Sequence, residues 1–246
     1  MADIPEIDVI RPDWSAPANV RAFTTTRRSG FSDGAWSSLN LGINCGDDPR
    51  NVEKNRRLLS KLLPSEPRWI NQVHGTRAVR WDKANDTVTG ADAIVSNQTG
   101  QVCAVLTADC LPVLFCNRSG TSIAAAHAGW RGLAAGVLEA TVSAMDCDPL
   151  ELMAWLGPAI GPQAFEVGKD VYESFVRSNS EDAIAFMEHG DRWLADLYQL
   201  ARLALNRAGV EQVTGGQYCT HSESDRFFSY RRDGVTGRMA SIIWLV

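Results

Sequence analysis

The chain has 246 residues, 45% of them hydrophobic, and a formal net charge of −5. A chain of this length buries about three quarters of the surface that its unfolded form exposes, so a large apolar core is available. The acidic charge balance argues against a protein that binds nucleic acid or anionic membranes, because phosphate binding needs a basic surface. No stretch approaches the roughly eighteen apolar residues of a membrane span, and the acidic N-terminus does not resemble a signal peptide. We therefore expect a cytoplasmic protein with no nucleic-acid or membrane partner.

The N-terminal part of the chain contains three predicted elements. Loose alternation over 19–26 predicts a strand, and a long Gly- and Ser-rich loop follows it. Asp48 and Pro49 form an N-cap with proline at the first helical position, and apolar residues at helical spacing predict a helix that Pro64 ends. Residues 67–75 then predict a short strand.

Closely spaced apolar runs begin after the hundredth residue. Three strands are predicted, at 101–107, 111–117 and 122–128. The Gly-containing turn between the second and the third predicts that these two form a hairpin. The last strand consists of small apolar residues and delivers one polar side chain, His127, to a Gly-bracketed turn.

Two helices and a second hairpin are predicted in the C-terminal half. The segment 130–145 has apolar residues on one face and predicts a helix whose first turn follows that histidine. A second helix is predicted over 191–208, with Gly209 at its C-terminal end. The turn at 233–237 lies between apolar or aromatic runs and predicts another hairpin. Because the chain shows no repeat or linker, we expect a single domain over 1–246, of mixed α and β content.

Six cysteines are present, and nothing indicates a secreted chain, so we interpret them as thiols rather than as a disulfide framework. Cys103 and Cys116 lie inside apolar runs and are expected to be small buried hydrophobic residues. Cys219 and His221 have a spacing that can chelate a metal, but no companion ligands lie nearby in the sequence. His189 precedes the second predicted helix and is expected to be solvated.

Three residues at the ends of predicted strands are candidates for chemistry, namely His74, Cys110 and His127. A rigid scaffold presents side chains to a site at such positions. Each has a structural alternative when taken alone, because a histidine at a strand end usually satisfies a hydrogen bond and a cysteine among apolar residues usually packs. Together they provide two imidazoles and one thiolate, a donor set that binds zinc and leaves a fourth position open, as catalytic zinc sites do. Their spacings of 36 and 17 residues match no zinc-finger pattern.

The same residues suit a second chemistry. Cys110 can attack a substrate as a thiolate, with a histidine as its base. A thiolate bound to zinc is a poor nucleophile, so the two schemes compete for one sulfur, and metal content would separate them.

Five further residues are candidates for contacts with a substrate or an anion. Glycines around Arg131 at a helix start leave backbone N–H groups open beside a fixed charge, an arrangement suited to phosphate. Arg56 is either a solvated helix residue or an anion clamp, and Arg131 has the alternative of a surface ion pair. Asn40 and Gln72 can offer amide hydrogen bonds to a base or a sugar, although such amides usually satisfy backbone groups. Asp109 can orient a ligand or transfer a proton.

The segments NQVHG, TADCLPVLF, AAAHAGWRG, AWLGPAIGP and FFSYRRDGVTGRMA together resemble the laccase-domain or polyphenol oxidase family. Members of this family are also described as purine nucleoside phosphorylases and, in bacteria, as peptidoglycan editing factors. The resemblance runs from the segment SLNLGINCGDD to the C-terminal strand. It implies a four-layer α/β/β/α sandwich that is similar to the cysteine hydrolase fold of toxin deamidases.

The resemblance also implies a set of zinc ligands and an activity. The matching ligand positions here are His74, Cys110 and His127, and all three ligand types are present. The implied activity is phosphorolysis of adenosine, guanosine, inosine and methylthioadenosine to base and sugar 1-phosphate, with deamination of adenosine at the same site. Asn40 and Arg56 fall in the family segments SLNLG and NRR and are candidates for contact with substrate or phosphate. Purine nucleosides and phosphate are therefore the expected partners, for a monomer or a homodimer.

The name polyphenol oxidase can be tested by counting ligands. A multicopper oxidase needs a copper held by two histidines and a cysteine, and a trinuclear cluster built from several more imidazoles. The four histidines of the whole chain do not supply them. Oxidation by a single copper in the zinc site stays open, since copper(II) outcompetes zinc at most nitrogen and sulfur sites. The same residues also suit a Cys110-dependent amidase acting on peptidoglycan precursors, or a noncatalytic binding protein with structural zinc.

Overall fold

The computed structural model describes residues 7–81 and 90–246, and the strands of this part of the chain form three sheets. The strands are β1 Val9–Ile10, β2 Val20–Thr25, β3 Arg68–Trp69, β4 Ala78–Arg80, β5 Ala93–Ser96, β6 Val102–Thr107, β7 Leu111–Asn117, β8 Ile123–Ala128, β9 Leu152–Leu156, β10 Glu166–Val167, β11 Phe186–His189, β12 Arg192–Ala195, β13 Gln212–Gly215 and β14 Met239–Leu245. A five-stranded sheet has the order β1-β2-β14-β6-β3, and a six-stranded sheet has the order β13-β9-β7-β8-β5-β4. The third sheet, β10-β12-β11, is small.

Helices complete the mixed α and β content that the sequence predicts. They are α1 Pro49–Ser60, α2 Trp130–Ala135, α3 Val137–Met145, α4 Lys169–Val176, α5 Leu197–Arg207 and α6 Tyr230–Asp233. Within the described ranges, each helix is too short or too polar to cross a lipid bilayer.

The two large sheets pack face to face, with helices on their outer sides. Successive side chains of a strand point to opposite faces of its sheet, and β8 shows the consequence. Its Ile123 and Ala125 pack in the core between the two sheets, whereas Ala124 and Ala126 pack with residues of α3 and α5 on the other face. On the outer face of the five-stranded sheet, α1 contributes Leu59 to a third apolar cluster.

Several predicted elements are confirmed. The strand predicted over 19–26 is β2, and the three predicted apolar runs are β6, β7 and β8. The Asp48 carboxylate accepts a hydrogen bond from the Arg50 N–H and caps α1, with Pro49 at its first position. Strands β7 and β8 form the predicted antiparallel hairpin, while β6 belongs to the opposite sheet.

The helix predicted over 130–145 is interrupted at Gly136. This residue has a φ of +97°, ends α2 and begins α3. Because glycine has no Cβ, it reaches this left-handed conformation with little strain, and it is the usual residue at a helix C-terminus. The apolar spacing continues across the break, so the pattern alone does not reveal it.

The helix predicted over 191–208 begins later than expected. Residues Arg192–Ala195 form β12, which pairs with both β10 and β11. The helix α5 starts after Asp196, whose carboxylate accepts hydrogen bonds from the N–H groups of Tyr198 and Gln199. The cap is a local signal, whereas the pairing of β12 depends on strands that are distant in the sequence.

The hairpin predicted around 233–237 is wrong. The residues before this turn form the short helix α6, whose N-terminus is capped by the hydroxyl of Ser229. The strand after the turn, β14, pairs with β2 and β6 instead of with a local partner. A central position between two distant strands buries β14 on both faces, so its apolar run carries no sign of its partners.

The strand predicted over 67–75 ends at Trp69. Beyond it the chain leaves the sheet, and the side chain of Gln72 continues the pairing. Its amide donates to the Leu106 carbonyl at 2.8 Å and accepts from the Leu106 N–H at 2.8 Å. This arrangement frees the backbone that carries His74 to turn toward the space between the sheets.

Candidate functional site

Three segments bring His74, Cys110 and His127 together at one end of the space between the sheets. His74 lies in the loop after β3, Cys110 precedes β7, and His127 is near the end of β8. Their ligand atoms all lie within 4.8 Å of one another. The Cys110 Sγ is 4.0 Å from the His74 Nε2, and the two imidazole rings meet edge to face with centroids 4.8 Å apart. The structure therefore brings together the three residues that the sequence singles out.

A buried carboxylate, Asp92, holds this cluster in place. Its Oδ1 is 2.8 Å from the Nδ1 of His127, so this nitrogen is occupied and the Nε2 is left for a ligand. The same carboxylate accepts hydrogen bonds from the backbone N–H groups of Val73, His74 and Gly75. Burial raises the pKa of the Asp92 carboxyl, but the hydrogen bonds from His127 and from the backbone outweigh it and lower this pKa. One carboxylate thus positions two of the three candidate ligands.

The backbone around the site adopts unusual conformations. His74 has a φ of +59° and Asp109 a φ of +89°, in the left-handed region that few residues other than glycine occupy. Such conformations cluster at functional sites, where the surrounding structure compensates their cost. Gly129 lies against the cluster, and a Cβ there would be 3.0 Å from the His74 Cδ2 and 3.1 Å from the Cys110 Sγ. The absence of a side chain at this position leaves room between the ligands.

Cys110 and His127 influence each other's protonation. Burial raises the pKa of the Cys110 thiol, but the charge of His127 and hydrogen bonds with His127 and His74 lower it to about 6. Burial lowers the pKa of His127, yet Cys110 and Asp92 together raise it to about 9. In the metal-free protein the pair is therefore a thiolate and an imidazolium near neutral pH.

The cluster fits a zinc ion. Tetrahedral zinc with bonds of about 2.0–2.1 Å to nitrogen and about 2.3 Å to sulfur places these ligand atoms about 3.5 Å apart, close to the observed 4.0 Å between Sγ and Nε2. A carboxylate on the second nitrogen of a metal-binding histidine, as Asp92 is on His127, is the usual outer partner. Three protein ligands leave one coordination position for a substrate group. Among the described residues this is the one cluster of three or more metal-binding side chains.

The cluster opens into a cavity of about 650 Å³. Arg56 and Arg238 line this cavity together with the three candidate ligands. Two aromatic side chains, Trp69 and Tyr230, also line it, and the Arg56 guanidinium lies over the Trp69 ring at 4.3 Å. No described aspartate or glutamate is part of the lining. The cavity is therefore positively charged and suited to an anionic ligand.

The other predicted contact residues have different positions. Gln72 lines the cavity, but its side-chain amide hydrogen-bonds to the backbone of Leu106. Asn40 is fully buried and accepts hydrogen bonds from the N–H groups of Gly42 and Arg238. It therefore fixes the backbone of two lining residues without lining the cavity itself. Asp109 accepts from the Thr220 hydroxyl at 2.6 Å and from the N–H of residue 231 at 2.7 Å. These contacts organise the walls of the site.

Arg131 is exposed, and its guanidinium lies 4.3 Å from the centre of the Trp130 ring. Neither Arg131 nor any other residue of the short helix α2 is part of the cavity lining, so the predicted anion contact there stays a prediction. The two remaining histidines and Cys219 lie outside the candidate metal cluster. His189 is exposed and pairs with Glu166, while Cys219 and His221 belong to no metal-binding cluster of the described residues.

The predicted thiols are confirmed, since all six cysteines are free. Cys103 and Cys116 are completely buried, as expected. Burial raises the pKa of both thiols, to about 12 at Cys116, which makes them unreactive. Of the six, only Cys110 combines a lowered pKa with a place in the cavity.

Sequence reasoning missed five residues of the site: Trp69, Asp92, Thr107, Tyr230 and Arg238. Asp92 precedes an apolar run, and nothing in the sequence indicates that the run lies beside β8. Thr107 stands two residues before Asp109, and Arg238 directly follows the turn of the hairpin that does not form. For Asp92, Thr107 and Arg238 the missing information is which strands are neighbours.

The family model described as "multi-copper polyphenol oxidoreductase laccase" matches residues 21–246. The chain belongs to this family. It is 55% identical to "purine nucleoside phosphorylase YfiH" of Escherichia coli, with 97% of this chain and 99% of that protein covered. It is 53% identical to a protein named as a purine nucleoside phosphorylase in Pseudomonas aeruginosa, with 96% and 98% covered.

Solved structures of similar proteins agree with the family assignment. A crystal structure of a Neisseria meningitidis protein superposes with a TM-score of 0.93 at 53% identity, covering 96% of this chain and 98% of that one. YlmD from Geobacillus stearothermophilus superposes with a TM-score of 0.89 at 32% identity, with 99% of each chain covered. The resemblance to the laccase-domain family is thus confirmed, and its YfiH-type members share this fold.

The words "multi-copper" in the family description do not match the ligand inventory of this laccase-domain protein. Two of its four histidines lie in the cluster, and the other two, His189 and His221, lie elsewhere. The described residues therefore contain no second group of imidazoles for a trinuclear copper cluster. The cluster suits a single metal ion.

Proposed function

We propose that this protein is a zinc-dependent purine nucleoside phosphorylase acting on adenosine, guanosine, inosine and methylthioadenosine. The observation that supports it is one cavity in which a His-Cys-His cluster lies with two arginines and without any described carboxylate in the lining. Two relatives more than 50% identical carry the name purine nucleoside phosphorylase. In this reaction the glycosidic bond breaks, a phosphate oxygen bonds to the ribose C1′, and the base leaves with the electron pair and takes up a proton.

Different residues of the cavity would bind the metal, the phosphate and the purine. His74, Cys110 and His127 would hold the zinc, and Asp92 keeps His127 in the tautomer that offers Nε2. Bound zinc supplies a Lewis acid that polarises an oxygen of the reactants. Arg56 faces the cavity with a half-buried positive charge suited to phosphate. Trp69 and Tyr230 offer aromatic surface on which a purine can stack.

Three finer proposals accompany this one. Deamination of adenosine at the same site would use the same three ligands, and a single copper there would account for polyphenol oxidation, since copper(II) binds such donors more strongly than zinc. We also propose a structural relation to toxin deamidases, supported by the two face-to-face sheets with helices outside and by the adjacent Cys110 and His127.

The test combines metal analysis with a phosphate-dependent assay. Protein purified without an affinity metal should contain about one zinc per chain, and it should release hypoxanthine from inosine only when phosphate is present. The Cys110→Ala variant should lose both zinc and base release. Equal base release by the wild type and this variant, or release that does not depend on phosphate, would exclude the phosphorylase. Arg56→Gln and Arg131→Gln, compared at varied phosphate, would show which arginine binds phosphate, because its substitution should raise the KM for phosphate.

A second function is favoured by one specific feature of the site. The His127 imidazole lies between the Cys110 thiolate and the Asp92 carboxylate. This is the arrangement of a cysteine hydrolase. In this scheme Cys110 attacks a carbonyl carbon of a peptidoglycan precursor, and His127 donates a proton to the leaving amine. The acyl-enzyme is then hydrolysed by water, which regenerates the thiol.

Metal content separates the two functions. A cysteine hydrolase would be active without metal, insensitive to chelators and inactivated by alkylation of its thiol. The phosphorylase would lose activity to a chelator and regain it with zinc. An enzyme that cleaves a muropeptide amide bond in the presence of EDTA would support the hydrolase, whereas loss of that cleavage in EDTA would exclude it.

A further inference from the structure

Polar side chains other than the candidate metal ligands also line the cavity. We propose that Arg56, Arg238 and Thr107 form a subsite for a phosphoryl group. The inference rests on the proposed function for the kind of substrate, but its evidence comes from these three side chains. It would serve either inorganic phosphate as co-substrate or a phosphate ester carried by the nucleoside.

Thr107 is the first observation. Its side chain is 1% exposed, it lines the cavity, and its hydroxyl has no hydrogen-bond partner among the described residues. A buried hydroxyl without a partner is destabilising, so native proteins usually provide one. A bound oxyanion would accept this hydrogen bond, because a hydroxyl donates readily to a phosphate oxygen.

The two arginines are the second observation. Neither Arg56 nor Arg238 forms an ion pair within the described parts of the chain. Arg56 donates its Nε and one Nη to the Leu41 carbonyl, and Arg238 donates one Nη to the carbonyls of Thr236 and Gly237. These backbone contacts fix both guanidinium groups while leaving N–H groups of each for a ligand. Both cations are fixed and face a cavity whose lining includes no carboxylate of the described residues. Such a pair favours an anion with several oxygens.

Strand register places Thr107 and Arg238 at the same end of the five-stranded sheet, because Thr107 is paired with Met239, the residue after Arg238. By the alternation along each strand, Thr107 is on the face of Cys103 and Val105, between the sheets, whereas Arg238 is on the outer face with Ala240. Asn40 accepts a hydrogen bond from the Arg238 N–H at 2.9 Å and thereby fixes the start of β14. Asn40 is thus a positioning residue for this subsite and not a direct contact.

The two arginines and the metal ligands lie at different parts of one cavity, on either side of the end of β6. The Arg56 guanidinium lies over the ring of Trp69, and Trp69 packs with the apolar cluster on the outer face of the five-stranded sheet. His127 shares the strand face of Ile123 and Ala125, which point into the space between the sheets. The cavity therefore passes around the end of β6, and a ligand that spans it has its reacting group at the metal and an anionic group at the arginines.

Binding of two probes, inorganic phosphate and AMP, to the zinc-loaded protein tests the subsite, with adenosine as the reference that lacks a phosphate group. Inorganic phosphate, AMP and adenosine would be titrated by calorimetry into the wild type and into Arg56→Gln, Arg238→Gln, Thr107→Val and Thr107→Ser. Arg177→Gln is the matched control, because Arg177 follows directly after α4, is exposed and pairs with Glu173 outside the cavity lining. Thermal unfolding of each variant shows that the fold is retained, and Thr107→Ser keeps the hydroxyl if Thr107→Val perturbs packing.

Two outcomes support the subsite and distinguish its ligand. If it serves inorganic phosphate, each arginine variant should weaken phosphate binding about ten-fold or more and Thr107→Val several-fold, with Thr107→Ser close to the wild type. If it serves a phosphate ester, AMP should bind more tightly than adenosine, and the same variants should remove this difference. Titration into Cys110→Ala, which lacks a metal ligand, separates binding at the arginines from phosphate binding to zinc.

Two outcomes overturn it. Either the wild type shows no measurable binding of phosphate or AMP at millimolar concentrations, or the variants bind both probes as Arg177→Gln does. Failure of the proposed function would look different. In that case inosine is not cleaved in the presence of phosphate, while the arginine and threonine variants still weaken binding of the probes.

Discussion

In this site, what a side chain can do toward a ligand depends on the contacts of its other polar atoms. His127 has its Nδ1 on a carboxylate that is itself completely buried, so only its Nε2 can reach Cys110 or a metal. Asp92 in turn receives three backbone N–H groups, which makes its charge tolerable away from water. The sequence predicts the histidine through its motif, but it cannot predict the carboxylate, because Asp92 reaches His127 only through the pairing of β5 with β8.

Replacing the carboxylate tests its role at the residue scale. Asp92→Asn should lower zinc affinity about 10- to 100-fold, the usual effect of removing an outer partner of a metal-binding histidine. The new amide NH2 group would also face backbone N–H donors, so the free energy of unfolding should fall by roughly 1–3 kcal/mol. Competition with a chromogenic chelator measures the first effect and thermal unfolding the second.

A matched control for this variant is Asp182→Asn, because Asp182 is also a buried carboxylate but pairs with Arg207, outside the cavity. It should lose stability and keep its zinc affinity. Equal zinc affinity of Asp92→Asn and the wild type would contradict the positioning role of Asp92.

The coupling of Cys110 and His127 predicts a pH dependence in the metal-free protein. The Cys110 pKa is lowered to about 6, so the thiolate forms as pH rises through about 6. The rate of alkylation by iodoacetamide should therefore rise to a plateau around pH 7, where an ordinary thiol with a pKa of about 8.5 is still mostly protonated. Mass spectrometry of the modified peptides across pH 5–9 measures this rate.

Three controls belong to this measurement. Zinc should protect Cys110, the buried Cys103 should stay unmodified in the folded protein, and Asp92→Asn should move the midpoint upward by weakening the imidazolium. A midpoint near 8.5 in the wild type would show that His127 does not stabilise the thiolate.

At the scale of elements, the site depends on short segments that leave the regular sheets. His74 lies beyond β3 because Gln72 replaces the backbone pairing, and α2 packs closely on the same loop. A Cβ at Gly132 would be only 2.8 Å from the Gly75 carbonyl. Patterns of apolar residues predict β2, α1 and the β7–β8 hairpin, because these elements are determined by local spacing and caps. They do not predict the break at Gly136 or the partners of β14, because those depend on contacts between distant segments.

The close approach of α2 to the ligands gives a prediction for Gly129. Its φ of −64° is open to alanine, so Gly129→Ala should keep the backbone conformation. The added Cβ would lie about 3 Å from the His74 ring and the Cys110 sulfur, so these ligands must shift. Zinc affinity should fall on the order of ten-fold or more, since metal sites need ligands placed to within about 0.5 Å.

Gly34→Ala serves as its counterpart. Gly34 has a φ of +57° and no neighbouring atom within 4 Å of an added Cβ. This variant should lose about 1 kcal/mol of stability through backbone strain and keep full zinc affinity. If Gly129→Ala bound zinc as tightly as Gly34→Ala, the space beside Gly129 would not be part of the metal site.

At the scale of the whole molecule, the site connects the two large sheets. His74 lies in the loop that leaves β3 of the five-stranded sheet, whereas Cys110 precedes β7 and His127 lies in β8 of the six-stranded sheet. Motifs in the sequence predict the ligand set and the mixed α and β content. They do not predict the charge of the cavity, because Arg56 in α1, Thr107 in β6 and Arg238 just before β14 meet only in the folded chain.

Because its ligands come from both sheets, a metal ion should stabilise the whole fold. Binding to the folded state alone contributes about 4 kcal/mol when free zinc exceeds its Kd 1,000-fold. For a chain of this size each kcal/mol raises Tm by roughly 2–4 °C, so zinc should raise Tm by roughly 8–16 °C above the value in EDTA. Scanning calorimetry of the same preparation with zinc and with EDTA measures the difference. Cys110→Ser should lose most of this increase, while His189→Ala, an exposed histidine outside the cluster, should retain it. Equal increases in both variants would place the stabilising zinc away from His74, Cys110 and His127.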